Sequence, residues 1–147
     1  MKEQDKRIEA AKAELNSYND LYRKTENLKA DLQELKSRMT TLRVTKYDDQ
    51  PRGGGGPSYY LEECFDKLHD IEVKISENIW LMQQRQFELT EQIHKLTGVF
   101  ADILHKRYVE RKSFEKIAVE MHYSWRNIMY LHKRALVDYY EKNIQKE

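Results

Sequence analysis

Apolar residues recur along this 147-residue chain at spacings of three and four, the period of an amphipathic helix. Ile8, Ala11, Leu15, Tyr18 and Tyr22 form one stripe, which drifts onto Leu21, Leu28, Leu35 and Leu42, joined by Leu32 and Met39. The pattern predicts a helix of about forty residues, with a change of phase near Thr25 that spoils an ideal heptad. A second segment is more regular: Leu61, Leu68, Ile75, Met82, Leu89 and Leu96 fall at every seventh position. Phe65, Ile79 and Ile93 supply half of a companion line, interrupted by Glu72 and Gln86. At the helical rise this segment would be on the order of 55 Å long, close to the first. Between them, residues 43–58 read as a loop. Asp48-Asp49-Gln50-Pro51 stops a helix, Gly53–Gly56 favours none, and Ser58 stands as an N-cap for the second helix. Two matched helices around a loop predict an antiparallel coiled-coil hairpin over residues 1–98, with Gly98 as the C-cap of the second helix.

Val73, Trp80 and Phe87 make another line at intervals of seven, two positions before the main one in each heptad. Local packing under long Lys or Arg stems is one reading; an interface for a partner chain or for the C-terminal segment is the preferred one, because three aligned large side chains make a sizeable patch. A two-helix hairpin buries little by itself, so a homodimer assembled as a four-helix bundle is expected.

Composition supports helices. Charged residues are 35% and apolar ones 39%, with five Gly and two Pro, four of the Gly lying together. That is too few turn residues for an all-β fold. One cysteine, Cys64, excludes an intrachain disulfide framework and a multi-cysteine zinc site, and suits a reducing cytoplasm. The stretch MKEQDKRIEA lacks the apolar core of a signal peptide, and no apolar run is long enough to span a bilayer, so no membrane partner is expected. Five histidines show no His-x-x-x-His spacing, and Gly53–Gly56 is not followed by the Gly-Lys-Ser/Thr of a phosphate loop. Neither metal, cofactor nor catalysis is expected. Cys64 reads as a small seam residue and His132 as a partly buried helix residue.

From Val99 the balance shifts. Residues 99–147 hold ten Lys+Arg against seven Asp+Glu, and 105–134 hold eight against three. Such local basicity attracts phosphate. Phe100, Ile103, Leu104 and Arg107-Tyr108 mark one amphipathic helix. Ser113 caps a second, with Glu115 in its first turn and Ile117, Ala118 and Met121 inward; Ser124 caps a third, with Ile128, Leu131, Ala135 and Leu136 inward. Small Ala118 permits close approach of the last two. The expected architecture is therefore all-α: a long hairpin, then a helix-turn-helix domain over 99–147.

The stretch from Arg107 to Ala118, followed by Met121-His122-Tyr123-Ser124 and Leu131-His132-Lys133-Arg134-Ala135-Leu136, resembles region 4 of sigma factors. More narrowly, it is similar to small phage-encoded regulators of Gram-positive bacteria, the ArpU/RinA-type late-transcription group and its streptococcal-phage relatives. That family usually has Gly where Arg111 and His122 stand. If the backbone there takes positive φ, each costs on the order of 1 kcal/mol unless its basic side chain is used on a phosphate.

The resemblance implies a phage or prophage transcription regulator, in the cytoplasm of a bacterial host, whose helix over 124–140 reads the major groove of double-stranded DNA. Trp125, Arg126, Met129, Tyr130 and Lys133 are its side chains not needed for packing. Arg126 and Asn127 suit base edges, since Arg pairs with guanine and Asn with adenine. Lys112, Ser113, Lys116, Tyr130, Lys133 and Arg134 suit phosphate contact, with Ser124 at the helix start. Asn127 could instead support the helix start, and Arg134 could pair with Asp138. Two other readings stand beside this one: a small terminase-like DNA-packaging protein, and a phage protein that grips a host protein such as RNA polymerase or an immune nuclease.

Overall fold

The computed structural model describes residues 2–48 and 56–145, with side chains described outside 43–48 and 56–58. All regular structure among them is helical. Helix α1 spans Glu3–Asp48 and α2 spans Gly56–His94, forming a long hairpin. Short helices α3 (Gly98–Leu104), α4 (Phe114–Met121) and α5 (Trp125–Tyr139) come next. Both α3 and α5 run on into a single π-helical turn, at His105–Val109 and Tyr140–Ile144. The chain packs as two compact units, Met1–Leu21 with Met82–Glu147, and Tyr22–Leu81. No helix among the described residues is long and apolar enough to cross a membrane.

The expected loop is shorter than residues 43–58. Residues 43–48 continue α1, and α2 begins at Gly56, two residues ahead of Ser58, with Pro57 in the first turn. Proline is suited to that position, where its missing N–H has no partner to lose. Residues 49–55, which hold most of the glycine run, lie outside the described residues.

In α1 the inward residues follow alternating steps of three and four through Ala11, Leu15, Tyr18, Tyr22 and Thr25. Thr25 is fully buried, and the next inward residue, Leu28, is again only three on; two short steps in succession are the phase change. From there Leu32, Leu35, Met39 and Leu42 resume the alternation.

On α2 the main heptad line faces inward, but its companion differs from expectation. Of the three expected companions, Ile93 is fully buried in the core, but Phe65 and Ile79 are exposed. The flanking inward line is instead Cys64, Ile71, Asn78, Arg85 and Gln92, three residues after each main-line position and mostly polar. Arg85 shows why this is tolerated. Its Nε donates to Ser17 Oγ at 2.6 Å, its Nη2 to the Glu14 carbonyl at 3.1 Å, and its Nη1 to Glu88 at 2.9 Å. A partly buried cation with every face bonded avoids the penalty of an orphaned one.

The principal core of the first unit joins α1, α2 and the C-terminal helices. Ala11 and Leu15 meet Leu89, Ile93 and Leu96, and all pack with Leu104, Tyr108, Val109, Ala135, Leu136 and Tyr139. The C-terminal segment thus shares its interior with the base of the hairpin. The hydroxyl of buried Tyr139 lies 2.9 Å from Glu14 Oε1 and 2.6 Å from Gln92 Oε1, tying three helices together. Burial, then the Glu14 charge, pushes the Tyr139 phenol well above its ordinary pKa, so it stays protonated. Gly98 does not cap α2, which ends at His94; it opens α3 with φ +50°, a conformation that glycine adopts without strain.

Candidate nucleic-acid interface

A second, smaller core fixes α3, α4 and α5 against one another. Ile103, Ile117, Ala118 and Ile128 are buried together, with Val99, Phe114, Met121 and Leu131 around them. The apolar stripe of α5 is used up here and in the principal core, which leaves the opposite face to solvent.

Three local devices set the geometry. Ser113 Oγ accepts the Lys116 N–H at 3.2 Å, and Ser124 Oγ accepts the Asn127 N–H at 3.1 Å, each satisfying an otherwise orphaned helix donor. Between them α4 ends in a Schellman motif. The Tyr123 N–H reaches the Ala118 carbonyl at 3.0 Å, the His122 N–H reaches Val119 at 3.3 Å, and His122 takes φ 60°. Arg111 also takes φ 60°, after the π turn that closes with Glu110 N–H on the His105 carbonyl. Both positions where the resembled family carries Gly are therefore left-handed, and each stores strain that glycine would not.

Burial on α5 sorts its side chains cleanly. Trp125 is 53% and Tyr130 58% exposed, and Arg126, Lys133 and Arg134 are exposed as well. No Asp or Glu occurs on α5 before Asp138. Lys116 and Ser113 are exposed on α4 and its cap, and Ser124 at the cap of α5. The two serine hydroxyls accept in their caps, which leaves each proton free to donate outward. Asn127 and Met129 are half-buried. Arg134 does not pair with Asp138, which bonds Lys142 at 3.3 Å; its guanidinium lies 5.7 Å from the centres of both the Phe100 and Tyr130 rings. Stacking of this kind holds the charge out from the helix with less rotamer freedom.

Lys112 is placed differently from the other basic residues. Its ammonium sits 2.9 Å from Glu120 and 3.4 Å from Glu110, and Lys106 reaches the same Glu120 at 3.1 Å. The hydrogen bond to Glu120 raises the Lys112 pKa, and the bond from Lys112, with Lys106 behind it, lowers that of Glu120. A lysine neutralised by two carboxylates is a strut between the π turn and α4, and has little charge left for a phosphate.

Sequence reasoning missed a buried polar pair behind this surface. Tyr108 Oη and His132 Nε2 are 2.8 Å apart, the rings stacked at 5.8 Å, with Phe114 edge-on to His132 at 4.8 Å. His132 is only 4% exposed. Burial, then the charges of Lys12 and Arg107, lowers its pKa to about 4, while burial raises that of Tyr108 to about 12. Both are neutral near pH 7. The signal available in the sequence was His132 lying four residues after Ile128 on the inward stripe. Of the three residues singled out on α2, Val73 and Trp80 are exposed in the second unit, and Phe87 is 65% exposed in the first.

No family model, curated protein or solved structure matches this chain.

Proposed function

We propose that the C-terminal segment is a helix-turn-helix that binds double-stranded DNA, with α5 in the major groove, and that the protein is a phage or prophage transcription regulator. The observation that carries the reading is the exposed face of α5, where Trp125, Arg126, Tyr130, Lys133 and Arg134 project with no carboxylate among them. Arg126, one residue inside the helix, stands where recognition helices meet base edges. Lys116, Lys133, Arg134, Tyr130 and the two cap hydroxyls serve phosphates, which sets register without reading sequence. Lys112 drops out of the contact set because its charge is spent on Glu110 and Glu120.

The hairpin supplies oligomerisation or partner contact in this reading, through exposed residues such as Trp80. A homodimer would place two recognition helices on two half-sites.

Duplex DNA binding measured across a salt series tests this. Wild type should bind at low salt and weaken linearly in log K against log salt. Lys133→Glu should reduce that slope by about one or more, the share of a single phosphate no longer engaged. Arg126→Glu should cost at least the roughly 1–3 kcal/mol of a base contact. Absence of binding at low salt, or charge reversals that bind as wild type does, refutes the proposal. A large ring by light scattering would favour DNA packaging.

A second reading, attachment to a host protein, is favoured by one observation. Val119 and Tyr123 are exposed apolar residues close in sequence to Trp125, more than phosphate contact needs. Biological activity that survives Arg126→Glu and Lys133→Glu would select it.

A further inference from the structure

We propose that the cleft between α1 and the π turn at 105–109 binds a phosphate group through Arg107, Arg111, Asn16 and Asn19. The site lies apart from α5 and stands independently of DNA recognition by that helix.

The cleft has a volume of about 210 Å³ and is lined by Asn16, Asn19, Arg107, Tyr108 and Arg111. Those five residues supply two guanidinium groups, two carboxamides and a phenol, with no carboxylate. Such a lining is rich in N–H donors and carries a net positive charge, the chemistry that receives an oxyanion. Its size admits a phosphate with room for water and is too small for an aromatic drug-sized ligand.

Two rows of donors face each other across it. On α1, Asn16 and Asn19 are three residues apart and share one helix face, and Lys12, four residues before Asn16 and outside the lining, is felt electrostatically by His132. Across the gap, Arg107 lies within the π turn and Arg111 two residues past its end. The turn is what aligns them, since the extra residue per turn carries the chain into left-handed Arg111.

The arginines are already oriented. Arg107 Nη1 donates to the Lys112 carbonyl at 3.0 Å, and its guanidinium lies 4.1 Å over the Phe114 ring. A guanidinium has five N–H donors, so that bond leaves Arg107 others to offer an anion. Arg111 Nε donates to Asn19 Oδ1 at 2.9 Å, which turns the Asn19 amide so that its N–H groups are available to an acceptor. The cost of ordering long side chains around an anion is then partly met in the free protein. Glu9, which acts on Tyr108, is an acidic group felt at the cleft, and it lies one helical turn before Lys12, outside the lining. The strain stored at Arg111 also finds a use, because glycine there would remove one of the two cations.

Thermal unfolding of the full chain in sodium phosphate, against sodium chloride at equal ionic strength, tests the proposal with Asn16→Asp and Arg111→Gln as variants. Phosphate stabilises proteins generally by exclusion from their surface, an effect the variants share. Wild type should show an additional rise in Tm that grows logarithmically with phosphate and reaches about 3–6 °C at tenfold excess over Kd. Both variants should lose it. The same variants in duplex binding then identify the source. A shallower salt slope assigns the cleft to the DNA backbone, and unchanged DNA binding assigns it to a free phosphorylated molecule. A phosphate response equal in wild type and both variants overturns the proposal. Because the phosphate arm needs no DNA, failure of DNA recognition by α5 leaves it standing.

Discussion

His132 makes the stability of the C-terminal segment sensitive to mild acid. In the folded protein its pKa is lowered from 6.5 to about 4, chiefly because the ring is buried against Tyr108 and Phe114, and secondarily by Lys12 and Arg107. The unfolded chain therefore takes up the proton first as pH falls. Stability from this group is complete above the unfolded value of 6.5 and is lost progressively as pH falls toward 4. Between pH 7.5 and 5 the loss comes to about 2 kcal/mol, growing to roughly 3 kcal/mol at pH 4. For a chain of this length, 2 kcal/mol corresponds to a fall in Tm of roughly 4–8 °C. Glu110 and Glu120 have lowered pKa values too: at Glu110 desolvation is outweighed by His105 and Lys112, and at Glu120 the bond from Lys112 leads. Their share is lost only below about pH 4.5, so a window from 7.5 to 5 isolates the histidine. Melting followed by circular dichroism on wild type and His132→Gln gives the measurement. Glutamine keeps a partner for the Tyr108 hydroxyl without titrating. Wild type should lose stability across the window while the variant stays nearly level. Parallel curves would mean that the imidazole is not shielded as its 4% exposure implies.

Other substitutions probe separate features. His122→Gly should raise stability by about 1 kcal/mol in urea unfolding, since it releases a left-handed residue from side-chain strain. Arg111→Gly should gain less, because the bond to Asn19 goes with it. Ser124→Ala and Ser113→Ala should each cost about 1 kcal/mol by chemical denaturation, with faster amide exchange confined to the first turn of the affected helix. Tyr139→Phe should destabilise by roughly 1–3 kcal/mol, leaving Glu14 and Gln92 without their shared partner.

The features legible in the sequence are those with local causes. Both serine caps are readable because a short polar side chain ahead of an apolar stripe has few other uses. The left-handed backbone at Arg111 and His122 is foreshadowed only by the resemblance, whose family usually carries Gly there. The hairpin comes from periodicity alone. What resists reading depends on partners distant in sequence. Asn78, Arg85 and Gln92 look like solvent residues until Ser17, Glu14 and Tyr139 are known to face the last two. Apolar pattern alone therefore points to Phe65 and Ile79 as the companion line, although they sit one position further round the helix and are exposed. Lys112 looks like any basic residue near a turn, and only the arrival of Glu120 on α4 reveals its clamp. The loop reads as too long because helix propagation, once begun, is nearly neutral in cost and carries through residues of middling propensity.

Arg85 also decides how the two long helices are keyed. Leucine repeating at sevens is indifferent to sliding, since a shift of one heptad exchanges like for like. A guanidinium bonded to Ser17 and the Glu14 carbonyl is not indifferent: displaced by a heptad it would lose both acceptors while still partly enclosed. One polar tooth in an oily zipper thus forbids the slipped alignments that the hydrocarbon alone would allow.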